Sequence, residues 1–106
     1  RLVLRGASLT PRAVEELVYG TTTATGYLIE IDSAGRYGRL LLERDVDADR
    51  ATESDQRAAV QHATAERLGV SWDDVVFVNN LAVTTKSGGS QKSWKRSNIR
   101  IVEPVT

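Results

Sequence analysis

The chain has 106 residues, 41% apolar and 26% charged, with fourteen Lys and Arg balanced by fourteen Asp and Glu. That length suits one domain with its own core, and the composition is too apolar for a disordered chain. Zero net charge argues against a dedicated nucleic-acid or membrane binder, the absence of Cys excludes disulfides and thiolate chemistry, and a single His (His62) is too few for a His-based metal site or a Ser–His pair.

No apolar run approaches the length of a membrane span and no signal peptide is visible, so a cytoplasmic location is expected. There is no Met, and Arg1 stands directly before an apolar run. The chain therefore reads as an excised or trimmed domain of a longer protein.

In chain order, Leu2–Leu4 is a short apolar run, a candidate edge strand, broken by Arg5-Gly6. Thr10 is a good N-cap, and Pro11 at the first helical position loses nothing by its missing N–H. Leu9 and Val14 occupy the positions of a hydrophobic staple, and Val14, Leu17 and Val18 form an apolar stripe. A helix is predicted over Pro11–Tyr19, ended by Gly20 as a C′ glycine, with Arg12, Glu15 and Glu16 on its solvated face. Thr25–Asp32 alternates as a strand, with Tyr27, Ile29 and Ile31 on one face. Ser33-Ala34-Gly35-Arg36 reads as a hairpin connection with a glycine available for positive φ. The return strand, Tyr37–Val46, places Leu40, Leu42 and Val46 on one face, and Leu41 makes its middle apolar on both.

Asp45–Asp55 is an acidic loop without the dense oxygen spacing of a calcium site. A second helix is predicted from Thr52 or Ser54 to Leu68, ended by Gly69. Its apolar face is either Val60, Ala63, Thr64 and Leu68 or Ala58, His62 and Ala65. Trp72-Asp73-Asp74 reads as a turn leading into a strand at Val75–Val78, which Leu81–Val83 would extend or follow. Asn98–Val102 is a last strand, stopped at Pro104. The order β-α-β-β-α-β predicts an α+β two-layer sandwich, a single domain over residues 1–106. Its small sheet is expected to be mostly antiparallel, with both helices on one face.

Thr84–Arg96 stands apart. It carries Lys86, Lys92, Lys95 and Arg96, no acid, a Ser-Gly-Gly-Ser core and Trp94. Glycines give backbone freedom, and the cations could meet a phosphate or a carboxylate. The strand–G-x-x-x-x-G-K-[ST]–helix of a phosphate-binding P-loop is absent, so a flexible loop is the plainer reading of Ser87–Ser90. Trp94 could stack on a base, though a Trp packed on its own domain is commoner. His62 is expected on a helix surface. Asp73-Asp74 is expected to be a turn and not a catalytic carboxylate pair.

In order and spacing these features resemble the small C-terminal domain of adenylate-forming CoA ligases, most closely the phenylacetate–CoA ligase-like branch. The resemblance rests on Leu2-Val3-Leu4-Arg5-Gly6, on Thr10–Leu17 with its Pro start and Glu15-Glu16 pair, on Leu68-Gly69-Val70 closing the second helix, and on a strand followed by a Ser/Gly/Lys loop. It covers nearly the whole chain; the single motifs are soft.

The resemblance implies an enzyme that activates a carboxylic acid with ATP as an acyl-adenylate, then passes the acyl group to coenzyme A. A large N-terminal domain would hold most of the ATP, Mg2+ and acid site, and no cofactor would bind this chain alone. The small domain would present a loop lysine for adenylation and an Arg-Gly face, Arg5 and Gly6, for CoA thioester formation. The family loop usually runs Pro, a basic or polar residue, Ser/Thr, Gly, Lys. Here Val83–Lys92 has no Pro and at least one extra residue. An ungapped match puts Gln91 at the lysine position, which would leave the domain inactive in adenylation; one insertion puts Lys92 there. Lys92 is the expected catalytic lysine, with Lys86 behind it. The alternatives are a stand-alone ligand-binding or regulatory module and a nucleic-acid module using the basic loop, the latter disfavoured by the zero net charge. The acid substrate is not legible, because its pocket would lie in the large domain.

Overall fold

The computed structural model describes residues 2–81 and 98–102. Its elements are β1 (Leu2–Leu4), β2 (Ala7–Leu9), α1 (Pro11–Thr21), β3 (Gly26–Asp32), β4 (Gly38–Glu43), a 3-10 turn (Arg50–Thr52), α2 (Glu53–Leu68), β5 (Asp74–Val78) and β6 (Ile99–Val102). β1 and β2 form a two-stranded ribbon, and the main sheet has the order β5-β4-β3-β6. Tyr27, Ile29 and Ile31 of β3, Leu40 and Leu42 of β4, and Val75 and Phe77 of β5 share one core cluster with Val14 and Val18 of α1 and Val60 of α2. Both helices therefore cover the same sheet face, as the α+β two-layer reading requires. On the other face Leu28 and Leu41 are also buried, with Val78 and Leu81 packed against them. This accounts for the doubly apolar middle of β4.

The sheet is mixed, not mostly antiparallel. β3 pairs β4 antiparallel, as their short turn dictates, but β4 pairs β5 in parallel and β3 pairs β6 in parallel. α2 is the cause: a helical crossover returns the chain to the end of the sheet from which β4 started.

Local chemistry explains most boundaries. Thr10 caps α1, its Oγ1 accepting from Ala13 N at 3.1 Å. α1 runs two residues beyond the expected Tyr19, and Gly20 lies inside it. The hydroxyls of Thr21 and Thr22 donate to the carbonyls of Leu17 (2.6 Å) and Val18 (2.8 Å), satisfying the last turn without a glycine. α2 does end on a left-handed glycine, Gly69 at φ +74°. Its buried face is the first of the two alternatives, Val60, Ala63 and Thr64, with His62 exposed and 3.6 Å from Glu66. β4 stops at Glu43, so Val46 leaves the sheet and is 90% exposed.

One residue is more buried than its sequence context suggested. Trp72 is core: its Nε1–H donates to Thr64 Oγ1 at 3.0 Å, and Gln61 holds its backbone N and O at 2.9 and 2.8 Å. Tyr27 is buried beneath α1, and its hydroxyl lies 3.2 Å from both Glu15 Oε1 and the Pro11 carbonyl. Burial, then the Glu15 charge, hold that phenol protonated well above its ordinary range. Glu15, expected to be purely solvated, thus ties α1 to β3. No helix of the described residues is long and apolar enough to cross a membrane.

Candidate functional site

Arg5 and Gly6 do more than end a strand. Leu4 pairs with Ala7, so these two residues are the whole connection between β1 and β2. Both have positive φ, +47° and +85°, the sign pattern of a type I′ hairpin turn. Glycine accepts that conformation freely; arginine does so at a cost. The Arg5 side chain is correspondingly anchored. Its Nη1 donates to Asp73 Oδ2 at 2.8 Å and to the Arg36 carbonyl at 2.9 Å, its Nη2 donates to the Ser71 carbonyl, and its backbone N donates to Gly35 O at 2.7 Å. Asp73 Oδ2 also accepts from Gly38 N at 2.8 Å, and Asp73 N donates to Gly38 O at 2.8 Å. One guanidinium and one carboxylate therefore join the ribbon, the β3–β4 turn and the α2–β5 connection. Burial pushes the Asp73 carboxyl up, but the Arg5 hydrogen bond, the Gly38 amide and the Arg5 charge outweigh it and hold the group below its ordinary value.

Gly6 faces open space: a Cβ built there would meet no atom within 4 Å. Beside the turn, Arg5, Ala65, Gly69, Val70 and Ser71 line a shallow cleft of about 370 Å³. The α2 C-terminus ends in this cleft, and Asp73 balances the Arg5 charge, so the field there does not favour a free anion.

The opposite end of the sheet anchors the basic segment. β5 leads out through Asn79 and Asn80 to Leu81, whose side chain lies 3.6 Å from where a Cβ on Gly26 would stand. The chain re-enters at Asn98 (φ +58°), which donates from Nδ2 to Tyr27 O at 2.9 Å and accepts from Ile29 N at 2.8 Å. Both anchors thus sit at the start of β3. Lys86, Lys92, Trp94, Lys95 and Arg96 lie outside the described residues. At this same end Arg44 reaches Glu53 twice (Nε–Oε2 2.5 Å, Nη2–Oε1 3.0 Å) and also donates to Asn79 Oδ1. Its backbone N donates to Val78 O at 2.8 Å. The start of α2 is thereby clamped to the ends of β4 and β5. The Arg44 hydrogen bond, against the opposing effect of burial, holds the Glu53 carboxyl below its ordinary value.

β3 has seven residues, so the Arg5–Gly6 turn and the Leu81/Asn98 anchors are separated by about 20 Å along the strand direction. They are not one site but two opposite ends of one domain. Arg5 and Gly6 were visible in the sequence. Asp73 and Ser71 were not, because nothing local marks residues 66 and 68 positions away as partners of Arg5. A further polar group lies on the second sheet face: Glu30, its side chain 5% exposed, sits between Arg39 Nε (2.8 Å) and Arg100 Nε (3.4 Å). Among the described residues, no three of His, Asp and Glu converge as a metal site needs.

No family model matches the chain, and no curated protein matches it. Solved structures do. A domain of phenylacetate-coenzyme A ligase from Bacteroides vulgatus ATCC 8482 superposes with a TM-score of 0.70 at 13% identity, over 99% of this chain and 94% of that one. At that identity the likeness is one of fold. It spans both layers, the ribbon and both ends of the sheet: this chain has the fold of a phenylacetate-coenzyme A ligase domain.

Proposed function

We propose that the chain is the small C-terminal domain of an ATP-dependent acyl- or aryl-CoA ligase. Its partner is a large N-terminal adenylation domain, and its substrate is a small carboxylic acid. One observation carries the reading. In a chain with this fold, the Arg5–Gly6 turn and the anchors of the Lys-bearing segment stand at opposite ends of the sheet. An active site on another domain cannot meet both ends at once, whereas two successive half-reactions can each use one.

In the first half-reaction a carboxylate oxygen attacks the α-phosphorus of ATP and pyrophosphate leaves. Negative charge builds at that junction, and a lysine brought by the 82–97 segment stabilises it. Lys92 is assigned to this, with Lys86 second. In the other half-reaction the CoA thiol attacks the acyl carbon and AMP departs. Gly6 gives a surface without a Cβ, along which the thiol-bearing arm passes close to backbone. ATP and CoA are substrates of the complete enzyme, Mg2+ belongs to the large domain, and the reaction is placed in the cytoplasm.

The test uses the complete gene product that contains this chain. Lys92→Ala is expected to lower acid-dependent pyrophosphate exchange by about 10²–10³-fold while Lys86→Ala changes it little. The reverse pattern would reassign the lysine. A reading frame encoding no large domain upstream of Arg1 would sink the ligase reading and favour a binding module, to be tried by calorimetry against carboxylates, nucleotides and CoA.

A further inference from the structure

The Arg5 guanidinium has the charge to hold a phosphate, yet its contacts are directed inward. It touches the carbonyls of Arg36 and Ser71 and the carboxylate of Asp73, and Asp73 in turn holds the amide of Gly38, the first residue of β4. Arg5 is also the non-glycine residue at the left-handed first position of the turn, where Asn, Asp or Gly is the usual occupant. A strained φ persists where surrounding contacts over-determine it. Here they come from two other connections of the chain, the β3–β4 turn and the α2–β5 connection. A surface ion pair alone would not suffice, being worth little; Arg5 and Asp73 are each about one-third exposed (37% and 34%). The two backbone carbonyls and the Gly38 amide give the pair a fixed geometry.

We infer that Asp73 is a positioning residue for the thioester-forming face: it locks the Arg5 guanidinium so that Arg5 braces the turn and the Gly6 backbone becomes the surface presented to the CoA arm. This rests on the ligase reading and deepens it. Arg5 then serves as part of the wall, not as a free anion ligand. Asp73 acts through Arg5 and touches no substrate. The adenylation half-reaction, served from the other end of the sheet, does not depend on it.

The decisive measurement separates the half-reactions in the complete enzyme. Asp73→Asn retains an oxygen for the Gly38 amide and removes the charge facing Arg5. It is expected to slow thioester formation from preformed acyl-adenylate and CoA at least about tenfold, leaving pyrophosphate exchange within about twofold. Arg5→Ala should do the same. The double variant should be no slower than Arg5→Ala, because the two residues act as one unit. An independent readout is amide exchange in the 106-residue chain, where Asp73→Asn should speed exchange at Arg5 and spare the amides of Gly38 and β3. Equal loss of both half-reactions would mean general structural damage and overturn the assignment. So would a normal thioester rate alongside lost Arg5 protection. A parent enzyme with neither half-reaction would remove the ligase reading and this role with it; the exchange experiment would still decide whether Asp73 holds the turn.

Discussion

At the scale of single residues, the most informative contacts join positions the sequence gives no reason to connect. Trp72 was read only as leading, with the turn at Asp73-Asp74, into the strand that follows. It is 3% exposed, and its indole N–H is satisfied by Thr64, a buried hydroxyl eight residues earlier that donates in turn to Val60 O at 2.7 Å. A buried N–H stripped of its acceptor costs about 1–3 kcal/mol. Thr64→Val keeps the volume and removes the acceptor, so it should destabilise the chain by that amount. In Trp72→Phe there is no indole N–H left to strand, so adding Thr64→Val to it should cost clearly less than in the parent chain. Urea unfolding of the four proteins reads this directly. Strict additivity would mean that the Trp72–Thr64 bond contributes nothing. Asp73 was illegible for the same reason: its roles are set by Arg5 and Gly38, both distant in sequence.

At the scale of elements, periodicity and capping were the readable signals. α1 and α2 were both visible, and the faces of β3 and β4 followed from alternation, but only α1 begins on its expected side-chain cap: Thr52 makes no cap hydrogen bond to α2, and Ser54 lies inside that helix. Errors fell where a side chain substituted for the expected backbone signal. Gly20 looked like a helix stop, but Thr21 and Thr22 terminate α1 with their hydroxyls. The β1–β2 ribbon was read as a broken strand, although an X-Gly pair between two short apolar runs is a hairpin signal. The two glycines at the helix ends offer a sharp contrast. Neither would bring a Cβ within 4 Å of another atom, but Gly69 has φ +74° and Gly20 is helical. Gly69→Ala should lower stability by about 1–2 kcal/mol, the cost of a left-handed alanine. Gly20→Ala should raise it by about 0.5–1 kcal/mol, as for any glycine inside a helix. Thermal melts of the two variants against the parent check both signs. A loss of stability at Gly20→Ala would restore it as the helix-ending residue.

At the scale of the whole molecule, the class was legible and the topology was not. Strand direction depends on which end of the sheet each connection returns to, and periodicity carries no such information. The result matters for the connection between β5 and β6. These strands are the two edges of the sheet, and both anchors of the connection sit at one end. Three strand spacings, about 14 Å, separate β5 from β6, and Leu81 and Asn98 both already stand at β3, so four or five extended residues at about 3.3–3.6 Å each would more than suffice. Residues 82–97 supply sixteen. Closing the sheet requires far fewer, so the surplus length fits a segment kept for work on another domain. Deleting Ser87-Gly88-Gly89-Ser90 separates the two roles. The remaining connection is still long enough, and loop-closure entropy changes by only a few tenths of a kcal/mol. Unfolding of the shortened 106-residue chain should therefore match the parent within about 0.5 kcal/mol. In the complete enzyme the same deletion displaces Lys92 relative to its anchors. Acyl-adenylate formation should fall by about 10²-fold or more, as expected when a charge-stabilising group is misplaced. Thioester formation from preformed adenylate, which we propose uses the Arg5–Gly6 end, should persist. Unchanged adenylate formation would remove the segment from the first half-reaction, and collapse of the fold would make its length a structural requirement.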